Sequence, residues 1–227
     1  MKKLIKGINW KYAFGELLLI FLGITIAIWF NNWNETKKSN KIELKSIKEI
    51  KSAIHQDILD INENIYGFSM RVKLYNQVIE HVEKDLPMND SLNTKLPYLL
   101  GVTTFLSNEG PYETLKSRGL ETISNDSLRL QIALYYDFEY EKIKTNEKQH
   151  YEHYINYLKP LMIKHFDLSN YALKPIDYDT LFDDFKFKQT INWALRTDQY
   201  MLELYKNLLK NGETLIKELD DEIALID

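Results

Sequence analysis

The sequence predicts an all-α protein, with an N-terminal transmembrane helix followed by an elongated antiparallel helical bundle of long, coiled-coil-like helices. Three observations carry this expectation. An apolar run spans residues 12–30, and apolar residues recur at three- and four-residue spacing over two long later stretches. The 227 residues include only 8 Gly and 5 Pro, too few punctuators for many short strands. The expected organisation is a basic cytoplasmic tail (1–11), the transmembrane helix (12–30), a juxtamembrane linker (31–40) and one helical soluble domain (41–227).

Composition narrows the functional classes. With 44% hydrophobic and 27% charged residues, the chain is that of a folded protein. The net charge of −4, with Lys and Glu interspersed, argues against a nucleic-acid-binding face, which needs clustered basic charge. There is no cysteine, which excludes disulfides, thiolate chemistry and Cys-ligated zinc.

Within the anchor, Glu16 is the only charged residue between Tyr12 and Phe30. At about 1.5 Å per residue the run covers roughly 28 Å, close to the hydrocarbon thickness of a bilayer. Trp10 and Tyr12 at one end, and Trp29 and Trp33 at the other, mark the two membrane interfaces, where amphipathic rings sit at headgroup level. The run exits through Ala27-Ile28-Trp29-Phe30-Asn31, too bulky for signal-peptide cleavage. Lys2, Lys3, Lys6 and Lys11 on one side nearly balance Lys37, Lys38, Lys41, Lys45 and Lys48 on the other. Long trailing domains translocate largely regardless of charge, so the N-terminus is expected inside and the soluble domain outside the cytoplasmic membrane. Glu16, Ile20, Gly23, Ala27 and Phe30 share one helix face, and Gly23-xxx-Ala27 is a small-xxx-small pair that admits a second helix. Glu16 either bonds a polar group on such a partner or reaches headgroup water about one turn away.

Residues 31–40 are Asn-rich and poor helix formers, so a break is expected there, with Asn40 capping the next helix. Ile47, Ile50, Ile54, Ile58, Ile61, Ile65, Phe68, Val72, Tyr75, Ile79 and Val82 then trace a narrow seam, with an extra four-residue step between Ile54 and Ile58 that reads as a stutter. This helix should end near Asp85, before Pro87. Pro111 opens a short helix and Gly119 closes it. Asn125 caps a long helix over 126–158, which Pro160 kinks or ends. Residues 168–185 read as a loop or short elements. A final helix runs from Phe187 to Ile226 along Ile191, Leu195, Leu202, Tyr205, Leu209, Ile216, Leu219, Ile223 and Ile226, with Gly212 as a kink or interruption. It is expected to pack antiparallel to the first.

Glu147 and His150, followed by His153, form half of a di-iron carboxylate pattern. His55, His81 and His165 each lack a Glu three residues earlier, so the second half is missing and the run is read as a solvated face. Tyr135, Tyr136, Tyr140, Tyr151, Tyr154 and Tyr157 are read as helix packing with hydroxyls at the rim, the alternative being an aromatic binding surface. His150 and His153 could chelate a metal only loosely, and no Gly-rich phosphate loop, nucleophile elbow or paired-Cys motif is present. No catalytic residue, cofactor, metal or small-molecule substrate is therefore identified.

The string Tyr12-Ala13-x-Gly15-Glu16, then Gly23-Ile24, Ala27 and Asn31-x-Trp33-Asn34-Glu35, resembles the N-terminal signature of a large family of uncharacterised bacterial single-pass membrane proteins carrying a domain-of-unknown-function label. Leu115-Lys116-Ser117-x-Gly119, Ile123-x-Asn125, Leu128 and Tyr135-Tyr136 fit the same family. Trp29 and Phe30 depart from it, standing where smaller or more flexible residues are common. The resemblance implies a bacterial inner-membrane protein with an extracytoplasmic helical domain, and brings with it no activity, cofactor or partner.

Two functions follow as expectations, with an enzyme as a third and least favoured reading. The first is a membrane-anchored interaction or scaffold module, not an enzyme. Its partners are the lipid bilayer and either further copies of itself or a membrane-protein complex of the cell envelope. The second is a ligand-sensing bundle that signals through a partner helix, since the expected cytoplasmic tail is too short to carry an output domain.

Overall fold

The computed structural model describes residues 10–169 and 172–226. Lys2, Lys3 and Lys6 of the expected basic tail lie outside the described residues. The fold is all-α, with one two-residue antiparallel β pairing, Phe166–Asp167 with Lys174–Pro175.

Helix α1 runs unbroken from Trp10 to Glu83, about 110 Å at 1.5 Å per residue. The expected linker at 31–40 is therefore part of this helix. Its Asn and Thr residues propagate a helix that is already nucleated on both sides, at a cost of only tenths of a kcal/mol each. Side chains help: Asn31 Nδ2 donates to Glu35 Oε1 (3.0 Å), Thr36 Oγ1 donates to the Asn32 carbonyl (2.9 Å), and Lys37 Nζ lies 4.2 Å from the Trp33 ring centroid. Asn40 accordingly caps nothing. The helix stops where expected. Asp85 takes a left-handed conformation (φ 50°), the Leu86 N–H returns to the His81 carbonyl (2.9 Å), and Pro87 follows.

From Trp10 to Ile42 α1 has no buried residue, and its N-terminal part contains a window long and apolar enough to cross a membrane. The bundle begins at Glu43, the first buried position. From there a buried seam runs through Ile47, Ile50, Ile54, Asp57, Ile61, Asn64, Phe68, Arg71, Tyr75, Val78 and Val82 in steps of three and four, with Ser46, Ala53 and Leu74 buried beside it. The expected stutter does not exist. Following only apolar letters moved the seam to Ile58 and Ile65, which flank it half-buried, whereas Asp57, Asn64 and Arg71 occupy the seam itself at intervals of seven.

After a short helix α2 (Asp90–Asn93) and a 3-10 turn (Leu96–Leu100), residues 101–109 form an extended strap leading into α3 (Gly110–Arg118). Gly119 ends α3 with φ 103°, where a side chain would be strained. Asn125 then accepts from the backbone N–H groups of Ser127 and Leu128 and starts α4 (Asp126–Ala133). This helix continues through a π turn (Leu134–Tyr140) into α5 (Glu141–His153), then through a second π turn (Tyr154–Leu158) into α6 (Lys159–His165). Pro160 does not end it, because the π turn just before already interrupts the i→i−4 bonding that Pro160 cannot make. A short helix α7 (Tyr178–Asp183) precedes α8 (Phe185–Ile226).

Helix α8 packs antiparallel to α1 as expected, pairing Arg71 with Asp198 and Lys51 with Asp220. Its buried seam Ile191, Ala194, Asp198, Met201, Tyr205, Leu208, Gly212, Leu215, Leu219 and Glu222 repeats the three–four steps, with Phe187, Thr190 and Leu204 also buried. Gly212 is no interruption. A Cβ there would stand 2.6 Å from the Tyr135 hydroxyl and 3.5 Å from Ile54 Cγ2, so the glycine admits a close approach of two helices. The core divides into a lower cluster nearer the apolar segment, built around Ile54, Phe68, Tyr140 and Tyr205, and an upper one around Tyr75, Leu96, Met162 and Phe187.

The tyrosines do not follow the expected pattern. Tyr135, Tyr136 and Tyr140 are buried on the first π turn, and the hydroxyls of Tyr135 and Tyr136 have no hydrogen-bond partner among the described residues. The wider turn brings these rings inward together, with Tyr136 stacked on Tyr112 at 4.6 Å. Gly212→Ala should therefore lower stability by about 1–3 kcal/mol through overpacking, despite the roughly 1 kcal/mol helix-propensity gain of Ala over Gly. Tyr135→Phe should cost little alone and rescue Gly212→Ala in a double-mutant cycle of chemical denaturation; additive losses would contradict this packing.

Candidate functional site

The polar residues at seven-residue spacing on α1 face the strap. Arg71 Nη1 donates to the Gly101 carbonyl (2.9 Å), Thr103 Oγ1 donates to Asn64 Oδ1, the Leu106 N–H donates to Asp60 Oδ2 (3.0 Å), and the Asn108 N–H donates to Asp57 Oδ1 (2.7 Å). Strap residues 101 to 108 thus run down α1 from 71 to 57. Fourteen helical residues rise about 21 Å and seven extended residues span about 23 Å, so the registers match. Phe105 plugs the strap into the lower core, edge-on to Tyr140 at 4.9 Å. The opposite wall is α5, where Glu147 Oε1 accepts from the Phe105 N–H (2.7 Å) and from the Tyr205 hydroxyl.

At the top of the strap lies a buried charged layer. Arg71 Nε donates to Asp198 Oδ2 at 2.7 Å, with side chains 6% and 1% exposed, and His150 Nε2 lies 2.5 Å from Asp198 Oδ1. The guanidinium carbon sits 4.3 Å from the Phe68 ring centroid, and Phe68 meets His150 edge-on at 5.4 Å. Arg71 Nη2 is buried with no hydrogen-bond partner among the described residues. Desolvation of such a pair is costly, and it persists because both oxygens of Asp198 and two guanidinium nitrogens are engaged.

Glu147 and His150 are therefore not on a solvated face, as their charged neighbours suggested. Tertiary packing turns this side of α5 onto the strap and α8. Burial raises the Glu147 carboxyl above its ordinary 4.5, although its hydrogen bonds to Tyr205 and Phe105 pull the other way. Burial, and then the neighbouring Glu147, pushes the Tyr205 hydroxyl well up. Burial, reinforced by the nearby His150, holds His153 below 6.5.

This layer opens onto a groove of about 720 Å³ between α5 with its following π turn and α8. His150, His153 and Thr197 line both the groove and the cavity that reaches Arg71 and Asp198. The π turn supplies Asn156 and Tyr157, and α8 supplies Trp193 and Tyr200. His153 lies 5.4 Å from Tyr157 and 5.9 Å from Trp193, ring centre to ring centre.

Glu16, Ile20, Gly23, Ala27 and Phe30 lie on the unburied part of α1, within an arc of about 80° at 100° per residue. Nothing lies within 4 Å of a Cβ placed on Gly23. Trp10, Tyr12, Trp29 and Trp33 are exposed at the two ends of this segment. The structure does not bring any of these together with the groove. Among the described residues no three His, Asp or Glu side chains are grouped to hold a metal. Sequence reasoning missed Asp57, Asn64, Arg71, Asp198 and Trp193. For the first four the available signal was a polar residue standing where the helical stripe, extended by strict alternation, requires a buried position; Trp193 is exposed and carried no such signal.

These features define an all-α bundle with a buried ionic layer, carried on a helix with an apolar, unpartnered N-terminal segment. The chain belongs to a family of unknown function: the family model described as "Family of unknown function (DUF6090)" matches residues 16–195. That span takes in the second of the two stretches on which the resemblance rested, and begins after Tyr12, Ala13 and Gly15. No curated protein and no solved structure matches the chain.

Two outcomes test the site. Glu147→Gln keeps the accepting Oε1 and removes the charge. The raised folded pKa means that the folded wild type holds its proton more tightly than the unfolded chain does, so wild-type stability falls as pH rises from about 4.5 through the folded value. The variant should escape that fall, gaining on wild type across this window and holding the gain above it, as read by denaturation at a series of pH values. Arg71→Met should cost about 3 kcal/mol by leaving Asp198 buried without its cation, and Arg71→Met with Asp198→Leu should recover much of the loss.

Proposed function

We propose that the protein is a membrane-anchored helical interaction or scaffold module of the bacterial cell envelope, without a catalytic step. It assembles either with itself or as an accessory subunit of a larger complex. In this reading residues 12–30 cross the cytoplasmic membrane once, with the N-terminus inside and the bundle outside. One observation carries it: the same uninterrupted helix presents an unburied apolar segment and, from Glu43 onward, the buried seam of the bundle. A helix without a hinge fixes the orientation of the bundle to that of the anchor, which suits assembly better than a flexible tether does. The aligned face at Glu16, Ile20, Gly23, Ala27 and Phe30 is the contact surface within the membrane.

A second reading, a ligand-sensing bundle that signals through a partner helix, is favoured by the link from groove to anchor. His150 in the groove wall holds Asp198, which holds Arg71 on α1.

The chain contains no cysteine, so single-cysteine variants report cleanly. Gly23→Cys and Ala27→Cys should cross-link in native membranes, to a second copy or to a partner of different mass. Leu18→Cys and Thr25→Cys, on the opposite face, should not. Protease added to intact spheroplasts should digest the bundle. A protein that purifies in mild detergent as a monomer, brings nothing down and cross-links at none of these positions is not an assembly module.

A further inference from the structure

We propose that the groove between α5 and α8 binds a neutral saccharide. Its chemistry selects this class. Among the side chains lining it, Glu152 is the one acidic group, and no Lys or Arg is present, so phosphates, nucleotides and carboxylate ligands find no countercharge. A purely apolar ligand is equally mismatched, because carboxamides and threonines alternate with the rings. The side-chain carboxamides of Gln149, Asn156 and Gln189 make no hydrogen bond to any described residue, so each offers a free donor and acceptor. Beside them the Tyr157, His153 and Trp193 rings form a continuous row. A pyranose ring presents C–H groups on its faces and hydroxyls at its edge. It can lie on such a row while its hydroxyls exchange hydrogen bonds with the carboxamides.

The groove volume falls in the range of small-ligand sites, and the π turn that carries Asn156 and Tyr157 belongs to a class of local distortion frequent at functional sites. The neighbouring Arg71–Asp198–His150 layer fixes the groove floor, since His150 is held by Asp198 on one side and packed against Phe68 on another. This inference deepens the sensing reading by naming its ligand class. Binding is measured directly, so a saccharide that binds without altering anchor cross-linking would sustain the site while removing the sensing role.

The test is isothermal titration of the full chain in lipid nanodiscs, free of sugar-headed detergents that would compete. The probes are glucose, N-acetylglucosamine, maltose, cellobiose and chitobiose, with glucose 6-phosphate and a neutral tripeptide as controls. At least one neutral sugar should give a saturable heat at millimolar concentration. Trp193→Ala and Asn156→Ala should each weaken it about tenfold, the equivalent of about 1.4 kcal/mol. Both residues are exposed, so thermal unfolding should stay unchanged and separate lost binding from lost folding. Three outcomes each overturn the proposal: no saturable heat with any neutral sugar, a heat that both variants leave intact, or tighter binding of the phosphate or the peptide.

Discussion

An extended backbone laid across a helix forms no ladder with it, so its N–H and C=O groups find protein partners only where side chains meet them. The strap at 101–109 is in that position, and most of this architecture depends on how α1 meets it. Asp57, Asp60, Asn64 and Arg71 each take one strap group. The spacing works because a helix rises about 1.5 Å per residue and an extended chain about 3.3 Å, so one heptad of α1 matches about three strap residues. Phe105 and Glu147 lock the strap from the other side. Phe105 is the buried residue of the strap and its neighbours are exposed or half-buried, so these bonds fix where the strap lies on α1 more than they rescue a buried backbone.

The ionic layer has a related role. It stands between the lower and upper apolar clusters, at the level where strap, α1, α5 and α8 all meet. Apolar seams on two long antiparallel helices tolerate sliding by a heptad, since one Ile replaces another at little cost. A buried Arg71–Asp198 pair does not tolerate it, because any other register strands both charges. Glu43, bound by Ser124, and Glu222, bound by Asn125, tie the other end of the two helices to a single loop. Register is thus held within the bundle, between the two clusters, and again at its lower end.

Continuity of α1 joins this rigid bundle to the apolar segment. Gly23 and Ala27 lie on the same rod as Arg71, with no hinge between them. The ionic layer and the Gly23–Ala27 face are thus carried by one continuous helix.

Much of the fold was legible in the sequence. The apolar run, the two stripes, the Asn125 cap, the Gly119 stop and the antiparallel return of α8 follow from local rules: periodicity, capping geometry and the conformational needs of Gly and Pro. The candidate site was not legible, for a consistent reason. Asn31–Asn40 looked like a break because propensity is local, while a helix fed from both sides propagates through poor formers. Asp57, Asn64, Arg71 and Asp198 carry no local mark of burial, and Glu147 and His150 looked like part of a charged surface, because a polar letter does not say what lies opposite it. The sequence by itself determined that the chain is helical, where its helices turn, and that one segment is apolar enough for a membrane. Only the tertiary structure decided which polar residues are core, because that depends on partners about 30 to 130 residues away along the chain, on a strap and on α8.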